Sequence, residues 1–256
     1  MKLIQSRDNP FFKQLKRLAE SGRERRKLGQ TLLDGVHLVE AWEAQRGLVE
    51  QLIVAESALH HGEVAGYLGD RDCTLLSDAL MRELGLVETP TGLLAVVTMP
   101  CPNVAVDLDS DAVLLDGVQD PGNVGTLLRT AAAAGVKQVL LAPGCAAAWS
   151  PKVLRAGQGA HFVLEIFEDA DFPAFMAEYR GTTAVTCLDG AQSLYTAHWQ
   201  GPLAWVFGAE GLGVRDEIIA AAGLKVHIPM PGAVESLNVG AAAAVCLFEA
   251  VRRRLA

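Results

Sequence analysis

The clearest pattern in the chain is an alternation of apolar runs and helix-like segments between residues 112 and 254. Apolar runs of strand length predict six strands, at 112–118, 137–142, 161–167, 182–188, 203–208 and 224–229. The segments between and after them predict helices at 123–135, 151–159, 171–180, 214–222 and 236–254. Strands that alternate with helices indicate a parallel α/β sheet, and near-continuous apolar strands are typical of burial on both faces.

The first hundred residues alternate less regularly. Asn9-Pro10 begins a predicted helix over 9–28, because proline is favoured in the first helical turn. The other predicted elements are a strand and helix at 31–45, strands at 51–57 and 92–100, and a strand end followed by a helix at 73–85. Residues 101–111, with Pro102 and three acids, form a predicted linker. The pattern therefore predicts two α/β domains, the smaller over 1–105 and the larger over 106–256.

Three connections in the second part combine glycine or proline with polar residues. They follow the first, fifth and sixth predicted strands and read DGVQDPGNVGTLLR, FGAEGLG and IPMPGAVESLNV. Ligands bind beyond the carboxyl ends of the strands in a parallel sheet, so these connections are the candidate functional segments.

Asn123 and Arg129 are the candidates in the first connection. The side chain of Asn123 can cap the following helix by accepting from exposed N–H groups. Arg129 lies six residues later, about 240° round the helix axis, so both can border a site at the helix start. The alternative is an ordinary cap and a surface or ion-paired arginine.

Glu210 lies between glycines in the second connection, directly after an apolar strand. Glycines let a ligand contact the backbone, and a carboxylate there is near the ligand-binding edge. The stretch lacks the Lys-Ser/Thr of a P-loop and the full Rossmann spacing, which excludes a phosphate loop of either kind. The alternative is a tight turn with an acid that caps the helix at 214–222.

The third connection carries Glu235, Ser236 and Asn238 at the start of an alanine-rich helix. Ser236 is predicted to cap this helix. Asn238 would then lie against a surface of Gly and Ala, and its buried amide would need a partner. Packing explains the alanines and leaves this amide unexplained.

Composition places the chain among globular proteins, with 50% apolar and 20% charged residues. Every apolar run of 18 residues contains a charge or a turn former, and the charged N-terminus is unlike a secretory signal, so no membrane association is predicted. The five cysteines are far apart and form no C-x-x-C pair. This spacing argues against a metal site or a disulfide framework and favours a reducing cytoplasm.

The net charge of −8 conceals an asymmetry. Residues 1–30 contain nine Lys or Arg and three Asp or Glu, a net charge of +6, which leaves −14 for the other residues. A basic N-terminal arm on an acidic protein can bind phosphate groups locally. The alternative is a solvated helix face.

The three connections resemble a known set of motifs. NVGTLLR (123–129), FGAEGLG (207–213) and IPMPGAVESLNV (228–239) are similar, in this order, to the three motifs of the SpoU/TrmH family of RNA ribose 2′-O-methyltransferases. SRDNPFFKQLKRL and GQTLLDGVHLVEAW, within 6–42, resemble the L30e-like substrate-binding domain often fused to this family, particularly in its ribosomal-RNA branch. One departure is Gly240, where the family often has Ser or Ala after SLNV.

The resemblance implies an RNA substrate-binding domain over 1–105 and a SpoU-type methyltransferase domain over 106–256 that contains a deep trefoil knot. It further implies S-adenosylmethionine as methyl donor, no metal, and a homodimer whose active sites are completed across the interface. Ribosomal RNA is the expected substrate, with tRNA as the alternative.

The resemblance also implies roles for particular residues. Arg129 would orient the target phosphate and help to remove the 2′-hydroxyl proton. Because an arginine with a pKa above ~12 is a poor base, a substrate phosphate clamped by Arg129 is the alternative proton acceptor. The residues expected to position the ribose and Arg129 are Asn123, Glu210, Ser236 and Asn238. The residues expected to hold the donor are Gly208, Ile228 and Leu237, through their backbone, and Met230, which lines the same pocket.

Two other functional classes stay open at the level of the sequence. One is a catalytically inert RNA-binding protein of the same fold, against which the intact polar residues of the three motifs argue. The other is a nucleotide-dependent enzyme of the doubly wound type, against which the missing P-loop and Rossmann motifs argue.

Overall fold

The structure, a computed structural model, describes residues 2–60, 62–86, 91–102, 104–234 and 236–255. The strands are β1 (Lys2–Ile4), β2 (Gln30–Asp34), β3 (Gln51–Ala55), β4 (Thr74–Leu76), β5 (Leu93–Thr98), β6 (Ala112–Asp116), β7 (Gln138–Leu141), β8 (Glu165–Phe167), β9 (Thr182–Thr186), β10 (Gln192–Ser193), β11 (Leu203–Gly208) and β12 (Leu224–His227). The α-helices are α1 (Pro10–Glu20), α2 (Gly22–Leu28), α3 (Val36–Arg46), α4 (Gly62–Leu68), α5 (Asp78–Glu83), α6 (Pro121–Ala133), α7 (Pro151–Gly157), α8 (Phe172–Glu178), α9 (Asp216–Ala221) and α10 (Val239–Leu255). By their contacts these elements fall into two units, Met1–Cys101 with Trp149–Phe162 and Pro102–Ala148 with Val163–Ala256.

The second unit is built on a seven-stranded sheet in the order β10-β12-β9-β11-β6-β7-β8. All neighbouring strands are parallel, which confirms the predicted α/β class. The central strands β6 and β11 are buried at every residue, as their unbroken apolar sequences predict. The edge strand β10 was not predicted, because its two residues, Gln192 and Ser193, are polar.

The core of the second unit has contributions from both faces of the sheet. Phe172 and Ile218, from α8 and α9, pack in one cluster with Val206 of β11 and Leu114 of β6. The long helix α10 packs against α6 and β11. This packing holds α6 and α10 side by side, and both begin at the edge of the sheet where its strands end.

The first unit contains a mixed sheet in the order β1-β4-β3-β5-β2. β4 pairs in parallel with β1 and β3, whereas β5 runs antiparallel to β2 and β3. This smaller α/β unit precedes the parallel sheet in the chain, as the sequence predicts.

The single helix predicted over 9–28 is wrong, because the chain forms α1 and α2 with a break at Ser21. Ser21 has extended backbone angles, and its side chain accepts from the backbone N–H of Glu24, so it caps α2. Asn9 caps α1 by accepting from the N–H groups of Phe11 and Phe12. Phe12, Leu15 and Leu18 are fully buried, so the basic segment is a folded part of the first unit.

Residues 149–162 belong to the first unit, although they lie between β7 and β8 of the parallel sheet in the chain. The hydroxyl of Thr31 on β2 donates to the carbonyl of Trp149 over 2.7 Å. The guanidinium of Arg155 on α7 donates to the buried carboxylate of Asp34 over 2.9 Å. The chain therefore passes between the two units three times, after residues 101, 148 and 162.

Among the described residues, no helix is long and apolar enough to cross a membrane. The deep trefoil knot that the motif resemblance implies stays a prediction.

Candidate active site

A cavity of about 700 Å³ lies at the carboxyl ends of β9, β11 and β12 in the second unit. The strand ends, the loop after β11 and the first turn of α10 form its walls, through residues 186–188, 207–214, 226–228, 230, 236–239 and 242. Gly208, Ile228, Met230 and Leu237, the donor-binding residues that the motif resemblance implies, all line it. Two of the three candidate connections thus meet at one cavity, as expected for strands that end at the same edge of a parallel sheet.

The loop after β11 is a tight turn whose shape requires glycine. Ala209 and Gly213 exchange backbone hydrogen bonds of 3.1 and 2.9 Å, and Gly213 has φ +72°. A Cβ atom on Gly208 would lie 2.1 Å from the carbonyl carbon of Gly213, closer than any side chain can approach. Glu210 follows directly in this turn, where it lines the cavity and stays exposed to solvent.

Asn238 caps α10, and the prediction that Ser236 does so is wrong. The side-chain oxygen of Asn238 accepts from the backbone N–H groups of Gly240, over 2.9 Å, and Ala241, over 3.4 Å. The expectation of a buried amide is also wrong, because Asn238 is exposed. Ser236 precedes the helix and lines the cavity, and Glu235 lies outside the described residues.

The prediction that Asn123 caps α6 is wrong as well. The cap is Asp120, whose carboxylate accepts from the N–H of Asn123 over 2.8 Å, with Pro121 as the first helical residue. Asn123 therefore lies in the first turn of the helix, and its side-chain amide is free for other partners.

Asn123 connects the three motifs through its side-chain amide. Its Nδ2 donates to a carboxylate oxygen of Glu210, and its Oδ1 accepts from Nδ2 of Asn238 over 2.9 Å. These bonds join residues that are 87 and 115 positions apart in the chain. The structure thus brings together three of the five predicted catalytic residues in one chain of hydrogen bonds, two of which line the cavity.

Arg129 is separate from this group. It lies on α6, nearly two turns beyond Asn123, with an exposed side chain, and it does not line the cavity. Within the described ranges of the chain, its guanidinium forms no hydrogen bond or ion pair. Arg129 is therefore available to a partner outside the single chain.

The wall formed by Thr186, Cys187 and Leu188 was missed by the sequence analysis. Thr186 is the last residue of β9, and Cys187 and Leu188 follow it directly. Because β9 lies between β12 and β11, the position of the strand was the available signal. Burial raises the pKa of the Cys187 thiol, which keeps the sulfur uncharged at neutral pH. The end of β9 thus adds an uncharged wall to the cavity.

An ion pair between a buried carboxylate and a half-exposed arginine fixes the far side of the loop after β11. Asp116, the last residue of β6, is 4% exposed. Its carboxylate accepts from the backbone N–H of Arg215 over 2.9 Å and from Nε of the same residue over 2.8 Å. Because Arg215 is the residue before α9, this pair anchors the segment that follows the glycine turn.

The charge of the cavity wall is negative. Among the described lining residues, Glu210 is the only carboxylate and none is Lys or Arg. The residues that the structure describes also contain no cluster of His, Cys, Asp or Glu that could hold a metal ion. Such a wall favours a ligand that carries positive charge over a nucleotide that carries several phosphates.

Comparisons with known proteins agree on one family. Residues 111–248 match the model of the SpoU rRNA Methylase family, and residues 9–95 match the model of the MRM3-like substrate binding domain. The 23S rRNA (guanosine(2553)-2′-O)-methyltransferase RlmP of Bacillus subtilis is 32% identical over 97% of this chain and 98% of its own length.

Several solved structures match nearly the whole chain, and two of them illustrate the likeness. A crystal structure of an RNA 2′-O ribose methyltransferase has a TM-score of 0.84 and 31% identity over 99% of this chain and 100% of that one. The SpoU methyltransferase AviRb from Streptomyces viridochromogenes, in complex with the cofactor AdoMet, has a TM-score of 0.84 and 27% identity over 97% of this chain and 99% of its own.

Proposed function

Because this chain belongs to the SpoU rRNA methylase family, we propose that it transfers a methyl group from S-adenosylmethionine to a ribose 2′-hydroxyl in ribosomal RNA. The observation that carries the proposal is the hydrogen-bonded group of Asn123, Glu210 and Asn238 at the edge of the 700 Å³ cavity. It joins the helix that bears Arg129 to the walls of a pocket that fits the donor.

The cavity fits S-adenosylmethionine in size and charge. Its volume lies within the range of about 300–1,000 Å³ that is usual for small-ligand sites. Glu210 favours the positive charge of the sulfonium, and no cationic side chain of the described lining opposes it. Gly208 lets a ligand approach the backbone of β11, while Ile228, Met230 and Leu237 would hold the adenosine.

When bound, the donor supplies an electrophilic methyl group. The acceptor needs more help, since a ribose 2′-hydroxyl is a weak nucleophile that must lose or share its proton. Arg129 would clamp the phosphate next to the target ribose with its planar guanidinium. Asn123, Glu210, Ser236 and Asn238 would orient the ribose, and the proton would pass to that phosphate.

A homodimer is part of the proposal. The exposed position of Arg129, outside the cavity lining, supports a site in which the arginine of one chain serves the donor pocket of the other. A C2 dimer would form two such sites, since each chain contributes its Arg129 to the donor pocket of the other.

The first unit would bind the RNA outside the active site. Arg17, Arg23 and Arg26 of α1 and α2 are exposed, and within the described ranges none of the three forms an ion pair with a carboxylate. Such cations can neutralise backbone phosphates, and this contribution to affinity depends on salt. With five free cysteines and an RNA substrate, we place the protein in the cytoplasm.

The test is methyl transfer from labelled S-adenosylmethionine to three purified RNAs: 23S rRNA and 16S rRNA, both from a strain that lacks the gene, and tRNA. We expect label in 23S rRNA at one nucleotide whose 3′ phosphodiester resists alkaline hydrolysis. A 2′-deoxy substitution at that nucleotide should abolish transfer, because the 2′-hydroxyl is the acceptor. Label in tRNA alone would show that tRNA, and not ribosomal RNA, is the substrate. Donor binding without methyl transfer to any of the RNAs would contradict the proposed reaction.

A further inference from the structure

Gly240 lies where the first turn of α10 contacts α6, and its neighbours leave no room for a side chain. A Cβ atom built on Gly240 would lie 2.9 Å from Cγ2 of Thr126 and 3.2 Å from Oδ1 of Asn238. The backbone of Gly240 has no positive φ, so any residue could adopt its conformation. The glycine is therefore required by space and not by the local backbone.

A glycine at this position has a cost that other residues would avoid. Glycine is a poorer helix former than alanine, since it loses more conformational freedom on folding. Gly240 follows the cap residue by two positions, within the first turn of α10. The close approach of Thr126 offers a reason for keeping glycine there.

Thr126 lies between two residues of the proposed reaction. It is three residues after Asn123 and three before Arg129 on α6, so it is midway between them along the helix and around it. Its β-branched side chain has few alternative rotamers within a helix. Where the clash is relieved by a shift of α6 at Thr126, that shift moves the backbone that carries Asn123 and Arg129.

Asn238 is the second neighbour that would be displaced. Its Oδ1 accepts from the N–H of Gly240, and its Nδ2 donates to Asn123. A methyl group at position 240 would push against this oxygen and against Thr126 at once. Displacement of either Thr126 or the Asn238 oxygen would change the distance between Asn123 and Asn238.

We propose that Gly240 and Thr126 are a matched pair of positioning residues. Their close packing sets the separation of α6 from the start of α10, and this separation holds Asn123 and Arg129 in register with the donor cavity. The inference rests on the proposed methyl transfer for its effect on turnover, while the packing itself can be tested without that function.

The test is a double-mutant cycle on the full-length protein with Gly240→Ala and Thr126→Ser. The serine removes the methyl group that lies 2.9 Å from the built Cβ atom. We expect Gly240→Ala to lower kcat about tenfold or more, because small misplacements of reacting groups are costly, and to change donor affinity by less than about threefold. Adding Thr126→Ser should bring kcat back to within about threefold of the Thr126→Ser single variant.

Gly223→Ala is the matched control. Its built Cβ atom meets only ordinary contacts, the nearest at 3.8 Å, and its φ is not positive. We expect this variant to keep wild-type kcat. The loss at position 240 would then come from the local clash and not from a glycine-to-alanine change in this unit.

Two results would overturn the proposal. Wild-type kcat in Gly240→Ala would show that the space is not needed, and a loss that Thr126→Ser does not relieve would show that the threonine is not the partner. If the wild-type protein transfers no methyl group, the proposed function fails, and thermal unfolding of the same four proteins tests the pair. Gly240→Ala should then lower Tm, and Thr126→Ser should restore it.

Discussion

Asn238 donates a hydrogen bond from its side-chain nitrogen to Oδ1 of Asn123 over 2.9 Å, across 115 positions of sequence. The same side chain caps α10 through its oxygen, which accepts from the N–H of Gly240. The oxygen of the Asn238 amide thus caps α10, and its nitrogen binds a residue of α6. The two functions can be separated by a substitution that keeps the oxygen and removes the nitrogen.

Asn238→Asp should remove methyl transfer and leave the helix cap intact. Aspartate caps helices about as well as asparagine, so we expect the free energy of unfolding to change by less than about 0.5 kcal/mol. It cannot donate to Asn123, and it adds a negative charge near Glu210, so kcat should fall at least about tenfold. Chemical denaturation and single-turnover methylation measure the two effects. Asn238→Ala is the comparison, and it should lose roughly 1 kcal/mol of stability as well. Equal kcat in Asn238→Asp and wild type would show that the bond to Asn123 has no part in the reaction.

Glu249 should contribute stability that depends on pH. Hydrogen bonds from Arg252, with a further contribution from Arg253, lower the pKa of this buried carboxyl group to about 2. Arg253 in turn donates to the carbonyls of Leu194 and Ala197 and stacks on Trp199. By binding Arg253, the Glu249 carboxylate therefore helps to hold α10 against residues 194–199. Because the pKa is lower in the folded protein, the contribution is complete above about pH 4.5 and is lost as the pH falls towards 2.

Glu249→Gln tests this contribution. At pH 7 it should lower the free energy of unfolding by roughly 1–3 kcal/mol, since hydrogen bonds to charged groups are lost. The difference from wild type should narrow between pH 4.5 and 2 in urea denaturation. Glu217→Gln removes an exposed partner of Arg215 and should cost less than about 1 kcal/mol. If the difference in free energy of unfolding between wild type and Glu249→Gln stays constant over this pH range, the stabilisation does not come from the ionised Glu249 carboxylate.

The central strands of the second unit could be predicted because they are buried on both faces. β6 and β11 read as unbroken apolar runs, a signal that does not depend on any distant part of the chain. β10 carries no such signal, since it is an edge strand of two polar residues whose pairing with β12 is a tertiary contact. The sequence therefore predicts the centre of the sheet better than its edge.

The start of α6 has a local signal that points to Asp120 and not to Asn123. Asp120-Pro121 has the same order of cap and proline as Asn9-Pro10, where the predicted helix start is confirmed. Choosing Asn123 as the cap shifted the predicted start of α6 by two residues and left the free amide of Asn123 unnoticed. The bridge from Asn123 to Asn238 and Glu210 itself had no local signal, because it forms only when three distant connections meet.

The assignment of residues 149–162 to the first unit could not be predicted either. The segment has an ordinary helix start, Ser150-Pro151, and nothing in its pattern distinguishes it from the other helices after strands. Its place depends on two distant partners, Thr31 for the carbonyl of Trp149 and Asp34 for Arg155. Contacts of this kind depend on the whole fold and not on a local preference.

RNA affinity should depend on the exposed arginines of α2. Deleting residues 1–30 is a poor test, since it would also remove the buried Phe12 and Leu15. Arg23→Gln combined with Arg26→Gln keeps the fold and should reduce the slope of log K against log salt by up to about 2, because fewer counterions are released. Donor affinity should not change, because the donor cavity belongs to the second unit.

Arg7→Gln combined with Lys16→Gln is the control for this measurement. It removes the same charge from the same segment, but both cations already pair with Glu83, at 2.6 and 3.0 Å. We expect a smaller change of slope than with Arg23 and Arg26. Equal slopes for wild type and the α2 variant would mean that these arginines are only a solvated helix face.

Arg129→Ala should still bind S-adenosylmethionine, with an affinity close to that of wild type in calorimetry, because Arg129 does not line the cavity. Methyl transfer should be lost, since nothing would clamp the target phosphate. Arg129→Lys should also lose activity, because an ammonium group lacks the planar fork of donors. Near wild-type turnover in Arg129→Ala would remove the residue from the mechanism.

Mixing Arg129→Ala with a variant that cannot bind the donor tests whether the site is shared between chains. Leu237→Asp is the suitable partner, because Leu237 lines the cavity and is 41% exposed, so its replacement should not disturb the core. Each variant alone should be inactive as a homodimer. A mixed dimer would contain one site with an intact donor pocket and an intact Arg129 from the other chain, so activity should return after chain exchange. If isolated mixed dimers stay inactive while each variant is folded and dimeric, Arg129 acts within its own chain, and the proposal of a shared site has to be abandoned.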